Sequence, residues 1–197
     1  MELIIFHGND KVALDAPAEA LSSARRYLAE QPCVGGDLLV LDRRSARLVE
    51  IDFSQDDGVI LKMLAQQYGL AEPGAKRSRG RPKLGVQSRE VSLLPRHWQW
   101  LNGQPGGASA ALRRLVEAAR RSPELVLEEA RQAVDRLLQT LAGDLPQYEE
   151  VLRQFYRRNY DSMFELMANW PPAIVEHVTE LVAQVQQAEQ ALPVAAH

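Results

Sequence analysis

A single cysteine, Cys33, stands among 197 residues, which excludes an internal disulfide and any cysteine cage for a metal. Cys33 also lacks a helix start or a histidine partner to activate it, so it reads as an idle thiol. No apolar run approaches the roughly 18 residues that cross a bilayer. The opening MELIIFHGND has four apolar residues in a row and no basic stretch ahead of them, so no signal peptide is expected. Histidine is sparse and scattered, at positions 7, 97, 177 and 197. His177 and Glu180 have the spacing to share a metal, with Glu149 or Glu150 as further carboxylates, but the paired Glu-x-x-His motifs of di-metal bundles are missing. A contact along one helix is the expected reading, with no metal. Gly35-Gly36 precedes a strand, whereas a phosphate-binding loop follows a strand and opens a helix. No cofactor and no enzymatic activity are expected, and the expected location is the cytoplasm.

What the chain has is an ordinary apolar content of 46%, enough for a packed core, and a very uneven distribution of charge. Residues 1–75 carry a net charge of −5, residues 76–121 a net of +9, and residues 122–197 a net of −7, within an overall −3. Such asymmetry points to one part that faces a polyanion, flanked by parts that repel one. A solvated basic linker resting against the acidic flanks is the plainer reading of the same pattern.

Periodicity divides the chain into four regions and an α+β class. Residues 1–68 form a small α/β domain with a mostly antiparallel sheet. ELIIFH is a buried strand, and Val12 to Leu14 return beside it across HGND. Pro17 opens a helix with Ala20, Leu21, Ala24, Tyr27 and Leu28 on one face. Residues 37–41 and 47–53 are two strands joined by a polar turn, followed by a helix capped by Ser54 with Val59, Ile60, Met63, Leu64 and Tyr68 inward. The helices are expected on one face of the sheet. Residues 69–87, rich in Pro, Gly, Ser, Lys and Arg, cannot bury enough surface to order themselves and read as a basic flexible linker. Residues 88–121 hold a short strand and two helices.

Residues 122–192 read as a helical bundle. Ser122-Pro123-Glu124 starts a long helix through Leu127, Ala130, Val134, Leu137, Leu138 and Leu141, which Gly143 ends. Helices follow from Asp144 and Pro146, over residues 162–170, and from Pro171-Pro172. Trp98 and Trp170 are expected in the core. The final LPVAAH is expected to fray.

KRSRGRPK, at residues 76–83, resembles an AT-hook, a minor-groove motif whose central run Arg79-Gly80-Arg81-Pro82 is intact here. The resemblance implies that Arg79 and Arg81 lie along the floor of a narrow A·T groove. The physics is consistent with that. Narrow A·T grooves carry enhanced negative potential and attract guanidinium groups. Gly80 lets the backbone press close, and Pro82 holds an extended direction without presenting an amide donor. Lys76, Arg77 and Lys83 would contact phosphates, adding affinity without sequence information.

REVSLLPRHWQWLNGQPGGASAALRRLVEAARR resembles the ribbon-helix-helix family of dimeric DNA-binding proteins, the MetJ/Arc type. The resemblance makes residues 89–94 a ribbon that pairs with a second copy and enters the major groove. Pro95 opens the first helix, with Trp98 and Leu101 inward. Pro105-Gly106-Gly107 makes the turn. Ala111, Leu112, Leu115 and Val116 line the second helix, with Arg113, Arg114, Arg120 and Arg121 outside. The start of that helix would meet a phosphate, to which Arg113 and Arg114 add charge.

This ribbon departs from the family's alternation: Val91 and Leu93 are the inward pair, leaving Glu90 and Ser92 outward beside Arg89. Arg89, Glu90 and Ser92 are thus the candidate base-reading positions, serine toward a base edge and glutamate toward a cytosine amino group. Gly107 stands where the family usually has a capping Ser or Thr.

Taken whole, the order of α/β unit, RGRPKLG, LLPRHWQWL, GDLP and a WPP helix start resembles a bacterial family known only as a domain of unknown function, which implies no activity. The expectation is a nucleoid-associated or regulatory protein that binds A·T-rich double-stranded DNA as a homodimer, with possible protein contacts at its acidic domains and none with a membrane. The alternative is a protein–protein adaptor whose basic linker docks an acidic partner.

Overall fold

The computed structural model describes residues 1–31, 38–70 and 89–192. Cys33, Gly35-Gly36, the hook motif and the end of the LPVAAH tail lie outside them. The fold is α+β: a small antiparallel sheet with helices, followed by a helical bundle.

Strand β1 (Leu3–His7) is central in a three-stranded sheet, between β2 (Asp10–Asp15) and β3 (Leu38–Asp42), and pairs antiparallel with both. A register shift between Ile5 and Phe6 interrupts the β1–β2 ladder. Side chains alternate across a strand, and here both sets are buried. Leu3 and Ile5, with Val40 of β3, pack with Leu21 of α1 (Pro17–Glu30) and with Ile60 and Leu64 of α2 (Asp57–Tyr68). Ile4 and Phe6, with Leu41, join a second core made mostly of the bundle. The unbroken apolar run LIIF therefore reflects a strand covered on both faces, as continuous apolar strands generally are. The two helices of this unit lie on one face, as expected, and the bundle covers the other.

The strand expected at residues 47–53 does not form. One isolated bridge, Leu41 to Leu48, is all that remains of it. Two backbone bonds flank that bridge, from the Asp42 amide to the Arg47 carbonyl and from the Val49 amide to the Val40 carbonyl. Beyond Val49 the backbone finds other partners. The Asp52 carboxylate accepts from the Ser54 amide at 2.9 Å, a local turn that competes with a ladder. Arg25 of α1 donates to the carbonyls of Phe53, at 3.0 Å, and Gln55, while pairing with Asp57 at 2.5 Å.

The helix start also shifts. Asp56, not Ser54, caps α2, accepting from the Gly58 amide at 2.8 Å. Its buried face is Ile60, Leu64 and Ala65, while Val59, Met63 and Tyr68 are exposed.

The C-terminal half is α3 (Pro95–Asn102), α4 (Gly107–Arg120), α5 (Pro123–Leu141), α6 (Tyr148–Tyr156), α7 (Tyr160–Leu166) and α8 (Pro172–Ala191). Ser122 caps α5 as its sequence implies, accepting from the Leu125 amide. Helix α6 begins later than Asp144 and Pro146 suggest, after Gln147 in a left-handed conformation. Helix α7 is earlier and shorter than residues 162–170, because Trp170 leaves the helix to bury its ring and donate Nε1 to the Pro146 carbonyl at 2.9 Å. Helices α5 and α8 supply the centre of the bundle, through Val134, Leu137, Leu138, Val178, Leu181 and Val182.

Polar ties reinforce the seam between sheet and bundle. Lys11 pairs with Glu176, Arg43 reaches Glu180 at 3.2 Å and Glu2 at 2.9 Å, and Arg136 Nε donates to the Ser45 carbonyl at 2.9 Å.

Candidate nucleic-acid interface

The hook residues Arg79, Gly80, Arg81 and Pro82, and the phosphate candidates Lys76, Arg77 and Lys83, lie outside the described residues. The rest of the basic region is a helical hairpin, α3 and α4, reached through residues 89–94. Those six residues form no strand. Among the described residues they pair with no strand of the three-stranded sheet. Arg89, Glu90 and Ser92 are exposed, and so are Val91 and Leu94, leaving Leu93 half-buried.

Pro95 opens α3 with its fixed φ, and the Leu94 carbonyl accepts from the His97 and Trp98 amides. Leu101 is buried as expected, Trp98 is half-buried, and Trp100 faces outward. The turn into α4 needs two left-handed residues, Gly106 at φ 83° and Gly107 at φ 74°, which glycine adopts without a Cβ penalty. No side chain caps α4, neither at Gly106 nor from Ser109, so its first turn presents its positive end to the surroundings.

On α4 the burial expected of Ala111, Leu112, Leu115 and Val116 is met by Ala111 alone, with Leu112 half-buried. Leu115 and Val116 are exposed, with Trp100, Val91 and Leu94 elsewhere on the segment, each between 49% and 54% accessible. The reason is geometric: a hairpin of 8- and 14-residue helices has too few neighbours to cover both sides of α4. Arg113 turns back to the Ser109 carbonyl at 3.2 Å. Arg120 and Arg121 share Glu117, at 3.2 and 3.9 Å. Arg114 is exposed and forms no ion pair among the described residues.

Among the described residues no three His, Cys, Asp or Glu side chains converge as a metal site. Glu150 is engaged by Arg153 and Gln154, and Glu180 by Arg43. His177 is nearly fully buried, with Nδ1 3.3 Å from Glu180 and no hydrogen-bond partner at Nε2. Burial pushes its pKa below the ordinary 6.5, with Arg43 and Lys11 adding to the shift while Glu180 opposes it. The folded state therefore holds this ring neutral, whereas the unfolded chain takes up a proton as pH falls through 6.5. That contribution to stability is complete above the unfolded value and declines below it, toward the depressed folded value. Urea midpoints are expected to fall between pH 7 and pH 5, and His177→Gln is expected to flatten that part of the profile. An unchanged slope in the variant would assign the acid sensitivity to other groups.

Architecture places the chain among α+β proteins in which one sheet is clamped between a helical pair and a helical bundle, with a basic helical hairpin set between the two in sequence. Residues 2–182 match the family described as an uncharacterized protein conserved in bacteria (DUF2239), and the chain belongs to that family. The match runs from β1 into α8, spanning both cores and the basic region together. No curated protein and no solved structure matches the chain. Among the described residues no helix is long and apolar enough to cross a membrane.

Proposed function

We propose that the protein binds double-stranded DNA, with a preference for A·T-rich sequence, through an AT-hook-like motif at Arg79-Gly80-Arg81-Pro82 and the adjoining helical hairpin, acting as a homodimer. The observation that carries the reading is the incomplete core of residues 89–120 within the most cationic part of the chain. Val91, Leu94, Trp100, Leu115 and Val116 are exposed on or beside a segment, residues 89–94, that forms no strand. A ribbon-helix-helix module leaves its ribbon and part of its second helix, here Val91, Leu115 and Val116, uncovered until a second copy supplies the opposing ribbon and helices. Exposed apolar side chains gathered on one segment mark an association surface. The uncapped start of α4 favours a phosphate, and Arg113 and Arg114 follow it by two turns or less. The acidic halves oppose approach to DNA, so affinity resides in the basic segment, where two tethered weak contacts reinforce each other.

The test is fluorescence anisotropy of the full chain with A·T-rich and G·C-rich duplexes of equal length. The expected result is tighter binding to A·T, lost in the Arg79→Ala plus Arg81→Ala variant. Equal binding to both duplexes and to heparin would leave only a generic basic patch. The second reading, a protein–protein adaptor, draws on the same exposed apolar side chains. It predicts no duplex binding at low salt.

A further inference from the structure

A cleft of about 850 Å³ opens where the sheet meets the bundle, and no residue of the hairpin lines it. Three cations line it: Arg44 and Arg47 from the loop after β3, and Arg136 from α5. None of them forms an ion pair among the described residues, although eight other cationic side chains do. Arg136 is half-buried and spends only Nε, on the Ser45 carbonyl, so its terminal nitrogens have no partner among the described residues. Burial and the charge of Arg47 both act against its protonated form. Two guanidiniums thus share one cleft, in which Asp42 is engaged by Ser45 while Asp135 and Glu129 only partly offset the effect of burial and of Arg47 on Arg136. Like charges held so are relieved by a ligand carrying the opposite charge, and guanidinium favours carboxylate, sulfonate or phosphate in a forked geometry.

The remainder of the cleft is of a different character. Tyr68 and Leu70 from the end of α2, Val126 and Ala130 of α5, and Ala188 and Ala191 of α8 give it apolar walls. Glu129 lies among them, two turns along α5 from Arg136, or about 10 Å at 1.5 Å per residue. A carboxylate at that end repels an anionic head and directs it to the arginine end. Concave sites with apolar walls and a few convergent polar groups are the usual form of small-ligand pockets.

We infer that this cleft binds an amphiphilic organic anion, its acidic head between Arg47 and Arg136 and an apolar body of about 10 Å along α5 toward Tyr68 and Val126. The ligand class is a carboxylate, sulfonate or phosphate monoester on an aromatic or short aliphatic body. The site is independent of the proposed DNA contacts and joins the two halves of the fold, so its occupation stabilises their seam.

Naphthalene-2-sulfonate is a suitable probe, titrated into the full chain by calorimetry. One saturable site is expected, weakened about tenfold by Arg47→Gln, the loss typical of a charge-assisted hydrogen bond. Arg47 is exposed and its side chain makes no hydrogen bond or ion pair among the described residues, so the variant is expected to keep the structure. The neutral naphthalene-2-sulfonamide should bind at least as weakly as the sulfonate does to that variant, and inorganic sulfate alone should not displace the probe at equal concentration. Leu115→Gln, on the exposed face of α4, should leave the affinity unchanged. Equal affinity in wild type and Arg47→Gln, equal affinity of sulfonate and sulfonamide, or sensitivity to Leu115→Gln would each overturn the assignment.

Discussion

Phe6→Ala is expected to destabilise the protein by about 3–5 kcal/mol, the cost of a large cavity in a packed core, and to do so for sheet and bundle together. Phe6 is fully buried, and its neighbours by cluster are not only sheet residues but Leu137 and Leu138 of α5 and Val178 and Val182 of α8. A cavity there removes packing from both layers at once, and a rigid interior recovers little of it by collapse. Hydrogen exchange checks the result: amides in β1, α5 and α8 should lose protection to a similar extent. Leu21→Ala is the contrasting variant, since Leu21 lies in the other core with Leu3, Ile5 and Ile60. Its effect should begin in α1 and α2. If the bundle keeps its full protection in Phe6→Ala, the two layers do not share a core in solution.

The second large effect concerns the proposed DNA contacts. Binding to an A·T-rich duplex should weaken about 10³- to 10⁴-fold between 50 and 200 mM monovalent salt, a log–log slope near −6. Seven cations are assigned to groove or phosphate, namely Lys76, Arg77, Arg79, Arg81, Lys83, Arg113 and Arg114, and each neutralised phosphate contributes about −0.9 to the slope. The flanking regions, at −5 and −7, cannot add to that number and make the overall affinity lower than the segment alone would give. Removing Arg79 and Arg81 should reduce the slope by about 2. A slope near −1 for the intact chain would be incompatible with seven contacts, and the adaptor reading would then be preferred.

Local chemistry was enough to locate most elements. Pro17, Ser122-Pro123 and Pro171-Pro172 mark the starts of α1, α5 and α8 because proline at a helix start and a serine cap act within one turn. The apolar spacing of α5 named Leu127, Val134, Leu137 and Leu138 as buried for the same reason, with Ala130 and Leu141 half-buried. For the basic region, charge is additive along the chain, so the net of +9 could be read without coordinates.

Tertiary structure decided what depends on distant residues. Residues 47–53 look like a strand, but Arg25, more than 20 positions earlier, takes the carbonyls of Phe53 and Gln55, and the ladder stops. Leu115 and Val116 have helical apolar spacing yet are exposed, because burial needs a neighbour and the described residues supply none there. The cleft arginines were invisible in sequence, since Arg47 and Arg136 approach only when α5 docks on the loop after β3. The sequence by itself determined where helices begin, which of their faces are apolar and where the cations are concentrated, since each is set within a few residues. Which apolar faces are covered, and which charges meet, was decided by the packing of β1 between two layers that the chain joins only at long range.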